Sequence, residues 1–345
     1  MNILVDRHHA SLTWSLHLLA KRLGATIYQP YGMEWYDQGY FRLYGDLRRK
    51  DPYRYLAKQY LVDTYFDLND YNCIDEGIKK TRETYNGCKD YPWLNTLTLE
   101  QAKSMKIDIV ICSVHENESF FHLMKIYHPN AKFIRQVGND LDTVIDENLY
   151  PNLLASAMAP YNAFGGHKVL YKQEFDLNLF KYKPIYNFKN IYSFQNDIEN
   201  FEDTWAFWTD LKHKLRDYTF KSYGVGCDDG KIYPVRELIN KMLESTFILQ
   251  SKGPWEGFGH VIFNSFCLGR PMIIKFSDYK GKLAEPLLIE NETYLEMDEN
   301  LPEKLRSLTK EKIEWMSKRC HEKFEEVVNF DKEFVEVKKF FDELI

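Results

Sequence analysis

The sequence contains no run of about 18 apolar residues, and therefore it predicts no membrane span. It also predicts no secretory signal, because residues 1–6 have the pattern of a short strand rather than a charged stretch followed by a long apolar one. None of the six cysteines forms a close pair with metal-ligand spacing, which is typical of reduced thiols. These absences predict a cytoplasmic protein. The net charge of −6 argues against a general nucleic-acid-coating protein.

The length and composition predict two folded domains. A single hydrophobic core rarely extends beyond about 250–300 residues, and this chain has 345, of which 44% are apolar. Short apolar runs alternate with helical patterns from residue 3 onward, which is typical of parallel α/β sheets. We predict two doubly wound, Rossmann-like domains that face a cleft, where ligands bind at the carboxyl ends of the strands.

The predicted acceptor-binding domain covers residues 1–185, with a Tyr-rich insertion from about residue 30 to 99. The predicted nucleotide-sugar-binding domain covers 186–330, and an amphipathic helix covers 331–345. Apolar residues recur along one side of that last helix with helical spacing, so we expect it to pack back on the N-terminal domain. These residues are Phe334, Val337, Phe340, Phe341 and Leu344.

The most informative segment, residues 251–271, follows a predicted strand and opens a predicted helix. Gly257 and Gly259 leave space for a ligand to approach the backbone. The first turn of the following helix offers free N–H groups and the positive end of the helix dipole, which together suit a phosphate. His260, Asn264 and Ser265 share one helical face and can donate hydrogen bonds to phosphate oxygens.

This segment resembles the donor-binding motif of GT-B glycosyltransferases. Residues 256–259, Glu-Gly-Phe-Gly, are similar to the synthase-like families, and residues 260–265 are similar to the His-x-x-x-Asn-Ser stretch of glucuronosyl and plant transferases. The turn at 268–271, Leu-Gly-Arg-Pro, also matches. The resemblance implies that Glu256 contacts sugar hydroxyls and that His260, Asn264 and Ser265 hold the diphosphate of a nucleotide sugar.

The two motifs differ from their families at the position that binds ribose. The synthase-like families have a second glutamate where this chain has Asn264, and the plant-type families have an acid where it has Leu268. The motif therefore leaves the base open, with a UDP-sugar as the favoured donor. It also leaves retaining and inverting stereochemistry open, because its two parts point to different classes. No permanently bound cofactor is expected.

Catalysis requires a base and a positive charge near the leaving diphosphate. The loop after the first strand contains His8 and His9, and a histidine there suits a general base, with Asp6 as alternative or orienting partner. Lys221 and Lys252 could neutralise the diphosphate. No Asp-x-Asp motif stands in a suitable place, so we expect no catalytic metal.

Five further polar or small residues follow predicted strands of the N-terminal half and are candidates for acceptor binding, although ordinary loop polarity explains most of them. They are Gly32, His115, Glu116, Asn139 and Asp140.

The acceptor is the least defined part of the prediction. Residues 5–9 and 34–40 resemble phage-associated glycosyltransferases, which suggests a hydroxymethylated pyrimidine of phage DNA as one possible acceptor and the host cytoplasm as the compartment. A basic patch could follow a phosphate backbone, but a solvated helix face explains it better. It comprises Arg48, Arg49, Lys50, Arg54 and Lys58. Two other functions stay open: a sugar-nucleotide epimerase and an inactive nucleotide-sugar-binding protein.

Overall fold

A computed structural model describes most of the chain. The described residues are 1–5, 10–30, 95–97, 99–113, 118–141, 143–224, 226–230, 232, 235–253 and 256–345. Most of the predicted Tyr-rich insertion and all of its basic patch lie outside them; within its predicted bounds, residues 95–97 form a strand.

The N-terminal half contains seven strands and four described helices. The strands are β1 (Asn2–Val5), β2 (Thr26–Pro30), β3 (Asn95–Leu97), β4 (Ile109–Cys112), β5 (Lys132–Val137), β6 (Asn152–Ala155) and β7 (His167–Leu170). The helices are α1 (Ala10–Arg22), α2 (Leu99–Ser104), α3 (Glu118–Tyr127) and α4 (Met158–Ala163).

The C-terminal half contains five strands and six α-helices within the described residues. The strands are β8 (Asn190–Ser193), β9 (Thr219–Ser222), β10 (Phe247–Leu249), β11 (Met272–Ile274) and β12 (Tyr294–Glu296). The helices are α5 (Glu202–Lys214), α6 (Val235–Glu244), α7 (His260–Cys267), α8 (Leu301–Ser307), α9 (Lys310–Val327) and α10 (Phe330–Leu344).

Each half forms one parallel sheet. The first has the order β3-β2-β1-β4-β5-β6-β7 and the second the order β12-β11-β10-β8-β9. Strands such as β4 and β10 are buried along their whole length, because helices cover both faces of a parallel sheet. The strand order reverses between β1 and β4 in the first sheet and between β8 and β10 in the second. These are the switch points at which such sheets bind ligands. The predicted fold class is confirmed.

The final helix returns to the first half, as predicted. Val337, Phe340 and Phe341 of α10 are at most 3% exposed and share a core with residues of β1 and α1. Burying each such side chain contributes about 1.5–3 kcal/mol, so this apolar contact is strong. The predicted domain boundary near residue 185 falls in the segment between β7 and β8 and stays a prediction.

Candidate active site

The segment singled out in the sequence lies at the carboxyl end of β10, next to the switch point of the second sheet. Asp278 fixes the path of the chain after this strand. Its Oδ2 accepts hydrogen bonds from Ser251 Oγ at 2.5 Å and from Gly253 N at 3.1 Å. Gly253 has a φ of +61°, a left-handed conformation that favours glycine. We call residues 250–259 the donor loop.

The donor loop ends at α7, and the first turn of that helix has free backbone donors. Gly259 is the N-cap residue, with a φ of +72°. Its carbonyl accepts hydrogen bonds from Ile262 N and Phe263 N. The amides of His260 and Val261 have no hydrogen-bond acceptor among the described residues. Two free amides at the positive end of a helix form a site for an anion.

Glu256 is held beside this helix start. It is only 8% exposed, and its Oε2 accepts a hydrogen bond of 2.8 Å from Gln250 Nε2. Lys252 Nζ lies 4.0 Å from the same carboxylate oxygen. These contacts fix the position of the carboxylate while leaving its other oxygen, Oε1, for a ligand.

Several buried polar atoms at the switch point have no partner. Ser193 ends β8, and Gln195 follows it; both side chains are completely buried. Ser193 Oγ, Gln195 Nε2, Gln250 Oε1 and Asn264 Oδ1 make no hydrogen bond within the part of the chain that the structure describes. Buried polar atoms are nearly always paired, so this group indicates a place where a ligand or water supplies the missing partners. Ser193 and Gln195 were not among the predicted site residues, although polar residues at the end of a predicted strand and just beyond it were a usable signal.

The structure corrects the explanation for Gly257. A Cβ atom on this residue would stand 1.9 Å from the carbonyl oxygen of Gly138, in the N-terminal half. The neighbouring Phe258 N donates a hydrogen bond of 3.2 Å to the same oxygen. Gly257 is therefore required by the approach of the other half of the chain, and no ligand is needed to explain it.

Two predicted acceptor residues lie at this same contact. The Cα atom of Asn139 would be 3.0 Å from a Cβ on Gly257. Asp140 Oδ1 accepts a hydrogen bond of 3.0 Å from Ala159 N, at the start of α4, and its Oδ2 lies 3.7 Å from Lys282 Nζ. Lys282 also donates a hydrogen bond of 2.5 Å to the backbone oxygen of Glu256. Both residues thus stand beside the donor loop.

His260 is held by a residue from the segment that joins the two sheets. Its Nε2 lies 2.5 Å from Gln173 Oε1. Burial, and to a smaller extent the positive charge of Lys252, lower the pKa of His260 from 6.5 to about 3, so the ring is neutral at physiological pH.

Two predicted donor residues make other contacts in the structure, and their role in donor binding stays a prediction. Ser265 is completely buried, and its hydroxyl donates to the Val261 carbonyl one turn earlier. The hydroxyl of Ser265 is thus engaged by its own helix, unlike the predicted donation to a phosphate. Lys221 lies on the edge strand β9, with Nζ 5.8 Å from the centre of the Tyr192 ring.

Six predicted site residues lie outside the described part of the chain, and their roles stay predictions. They are Asp6, His8, His9, Gly32, His115 and Glu116. Within the described ranges, no group of three His, Cys, Asp or Glu side chains is placed to hold a metal ion. The same ranges contain no helix with the length and apolar character of a membrane span.

Comparison with known proteins identifies the architecture. No family model matches the sequence, and no curated protein is similar to it. The structure of Anabaena HepE in complex with UDP and glucose is similar over 99% of both chains, with a TM-score of 0.66 and 11% identity. A glycosyltransferase from Rickettsia africae covers 99% of this chain and 98% of its own, with a TM-score of 0.57 and 13% identity.

A third similar structure is that of OtsA without ligand, which covers 99% of this chain and 98% of its own at a TM-score of 0.56 and 9% identity. HepE also has a structure in complex with UDP-glucose. At these identities the likeness establishes the fold alone. The chain has the GT-B fold, as its donor-loop motif predicts, and the three structures named above, each similar to it over 99% of its length, are glycosyltransferases of that fold.

Proposed function

We propose that this protein is a glycosyltransferase that moves a sugar from a nucleotide-diphosphate sugar, with a UDP-sugar as the favoured donor, to a hydroxyl acceptor. The observation that carries the proposal is the pair of free amides at the start of α7, next to the buried carboxylate of Glu256. An anion site beside a fixed carboxylate suits a diphosphate linked to a sugar. The UDP and UDP-glucose bound to HepE support the same donor class.

The diphosphate binds at the first turn of α7. The amides of His260 and Val261 donate to its oxygens, and the ring of His260 and the side chain of Asn264 stand next to them. Lys252 adds a positive charge, with its side chain 30% exposed and in reach of solvent. In a partly buried site these groups together stabilise the charge on the departing diphosphate.

Glu256 holds the transferred sugar. Its Oε2 is occupied by Gln250, so Oε1 accepts from a sugar hydroxyl. Replacement with glutamine keeps the shape and removes the charge. We therefore expect Glu256→Gln to weaken UDP-glucose binding about tenfold while UDP binding stays unchanged, since only one of the two ligands has a sugar.

The control for this variant is Glu314→Gln, on the exposed side of α9. Isothermal titration with UDP and UDP-glucose compares both variants with the unmodified protein. Equal losses for both ligands in Glu256→Gln would show that Glu256 supports the fold of the loop and does not bind the sugar.

The transfer breaks the bond between the anomeric carbon and the diphosphate oxygen and forms a bond from that carbon to the acceptor oxygen. The acceptor proton goes to a base, for which His9, His8 and Asp6 remain the candidates. His9→Ala should leave donor binding intact and abolish transfer. A transfer rate that survives in His9→Ala would assign the base elsewhere.

The acceptor binds in the N-terminal half. Asn139 and Asp140 remain candidates because they stand beside the donor loop, and Gly32, His115 and Glu116 remain candidates from the sequence. A DNA acceptor rests only on the resemblance to phage enzymes and on the patch at residues 48–58, so we rank it with saccharide and protein acceptors and not above them.

A thermal-shift screen with UDP, GDP, dTDP and CMP tests the donor class first, because a ligand that binds only the folded state raises its melting temperature. Nucleotide release from the responding sugar nucleotide is then measured with and without candidate acceptors. Transfer to an acceptor confirms the proposal. A changed sugar on intact nucleotide would indicate an epimerase, and binding without turnover in the presence of a broad set of acceptors would indicate a binding protein.

A further inference from the structure

Gln173 has an unusual backbone for its residue type. Its φ of +45° lies in the left-handed region, and the other two non-glycine residues with positive φ among those described are Asp197 and Asn291. Short polar side chains such as Asp and Asn tolerate this region by bonding locally, whereas glutamine has no such preference. The side chain is nevertheless held in place at 4% exposure. Such strain persists when the surrounding contacts require it.

The contact that Gln173 makes is the bond between its Oε1 and Nε2 of His260, at 2.5 Å. Gln173 belongs to the segment between the sheets, and His260 opens α7, so the bond ties the connector to the anion site. The half-buried ring has no other hydrogen bond among the described residues, which leaves Nδ1 for a ligand.

The chemistry of a neutral imidazole limits what Nδ1 can do. One ring nitrogen has a proton and the other has a lone pair. When Gln173 presents its oxygen, the proton is on Nε2, and the lone pair on Nδ1 repels a phosphate oxygen. When the amide turns by half a rotation, its NH2 group donates to Nε2, and the proton moves to Nδ1. Only that second arrangement lets a neutral His260 donate to a phosphate.

We infer that Gln173 is a positioning residue for the donor site. When the diphosphate binds, its amide rotates so that the NH2 group, and no longer the oxygen, faces Nε2 of His260. The donating N–H of His260 is thereby transferred from Nε2 to Nδ1. The inference rests on the proposed function, since it assigns the diphosphate to α7. It explains why an amide stands here: glutamine pairs with either tautomer, whereas a carboxylate pairs only with a ring that has its proton on Nε2.

The charges around His260 do not determine which tautomer of the ring forms. Lys252 of the donor loop is the charge that acts on the ring, and it opposes protonation. From the N-terminal half, Asp140 is engaged by Lys282, and Glu174, which follows Gln173, is paired with Arg22 at 2.7 Å. The ring therefore stays neutral between pH 5.5 and 8.5. His260 must bind the donor as a neutral tautomer and not as an imidazolium cation.

Nuclear magnetic resonance of protein labelled with ¹⁵N-histidine measures the tautomer directly, with His260→Asn identifying the signals of this ring. We expect the proton on Nε2 in the free protein and on Nδ1 after UDP-glucose is added. A proton that stays on the same nitrogen in both states overturns the inference.

Binding of UDP-glucose against pH provides the second readout, because its diphosphate does not titrate in this range. The unmodified protein should show a flat profile from pH 5.5 to 8.5. Gln173→Gly removes the amide and relieves the backbone, and it should bind about tenfold more weakly with a flat profile.

The Gln173→Glu variant should behave differently from the unmodified protein and from Gln173→Gly. Its carboxylate raises the pKa of His260, so the ring donates from both nitrogens only when protonated. Affinity should then fall with rising pH, by up to about tenfold per unit above that pKa. The double variant Gln173→Glu/His260→Asn should lose this slope, which a purely structural role would not produce.

The outcomes separate the inference from the function on which it rests. If the unmodified protein does not bind UDP-glucose, the proposed donor is wrong, and the free-protein tautomer still reports whether Gln173 accepts from Nε2. If it binds and Gln173→Gly and Gln173→Glu both match its affinity and its flat profile, the function survives and the role of Gln173 is refuted.

Discussion

Two of the contacts between the halves of the chain are unlike each other. Beside the donor loop the contacts are polar and close: Gly138 against Gly257, Asp140 with Lys282, and Gln173 with His260. At the other contact, α10 covers the first sheet with apolar side chains that are almost fully buried. We call these the polar contact and the apolar contact.

The difference separates what must hold the molecule together from what must change during a reaction. Buried apolar area is costly to expose, so α10 keeps the last part of the chain attached to the first half. Polar contacts exchange readily with water and contribute little net stability, so they can break and re-form as ligands enter and leave. Stability should therefore depend on the apolar contact, and activity on the polar one.

The largest effect is expected at the apolar contact. Phe341 is 1% exposed and packs in the core shared by α10 and the first sheet. Phe341→Ala removes a buried ring and leaves a cavity, so it should lower the free energy of unfolding by about 3–5 kcal/mol. Urea denaturation followed by circular dichroism measures this loss.

The same variant tests the comparison through its binding. In buffer without urea, folded Phe341→Ala should bind UDP-glucose as the unmodified protein does, because Phe341 packs in the core around the first sheet, whereas Phe258 of the donor loop packs in a different core. Val335→Ala is a control on the exposed side of the helix, with Val335 62% exposed, and should leave stability within about 0.5 kcal/mol. Lost donor affinity in Phe341→Ala would mean that the two contacts are coupled.

The next largest effect is expected at the polar contact. Gly257→Ala would place a Cβ 1.9 Å from the Gly138 carbonyl oxygen, and both sides of this contact are backbone. The halves must separate, so the donor loop and the acceptor residues lose their alignment. We expect kcat/KM to fall about a hundredfold, as misplacement of about 1 Å typically causes.

Gly165→Ala is the matched control for Gly257→Ala, because its nearest atom, Glu147 Oε1, would be at an ordinary 3.6 Å. It should leave activity and melting temperature unchanged. If Gly257→Ala retains full activity, the close approach of Gly138 is not needed for the reaction.

The sequence predicted the fold well because its signals are local. The buried run of β4 and the amphipathic pattern of α10 are visible residue by residue. The short strand β12 was missed, since its Tyr-Leu-Glu sequence forms no continuous apolar run, whereas the equally short β10 and β11 are apolar throughout. Gly257 was predicted in the correct loop but explained by the approach of a ligand. Its contact with Gly138 could not be predicted, because the two residues are more than a hundred positions apart in the chain. Gln173 was missed for the same reason: no local pattern marks its bond to His260.

The third largest effect is a dependence of stability on pH at the helix that forms the apolar contact. Glu333 of α10 has its pKa raised from 4.5 to about 6 by burial, although Lys172 N donates to Oε1 at 2.7 Å and its Nζ lies 3.7 Å from Oε2. A carboxyl with a raised pKa binds its proton more tightly in the folded state. Stability from this group is therefore present at low pH and is lost as pH rises from about 4.5 to 6.

The size of this loss follows from the shift, which corresponds to about 2 kcal/mol. Glu333→Gln keeps the acceptor for Lys172 N and removes the charge. It should therefore be more stable than the unmodified protein at pH 7.5 and similar to it at pH 4.5, as measured by urea denaturation at both values. An equal difference at the two pH values would contradict the assignment of the charge as the cause.

The smallest effect is expected for one ion pair within the polar contact. Lys282→Met removes the hydrogen bond to the Glu256 carbonyl and the charge facing Asp140, so the donor loop loses one anchor. UDP-glucose affinity should fall about tenfold. Lys189→Met is the control: its partner Asp217 and Lys189 itself are both more than half exposed, and such surface pairs contribute about 0–1 kcal/mol. Equal donor affinities for the two variants would mean that the polar contact does not support the donor loop, and its role would then reduce to the fit of Gly257 against Gly138.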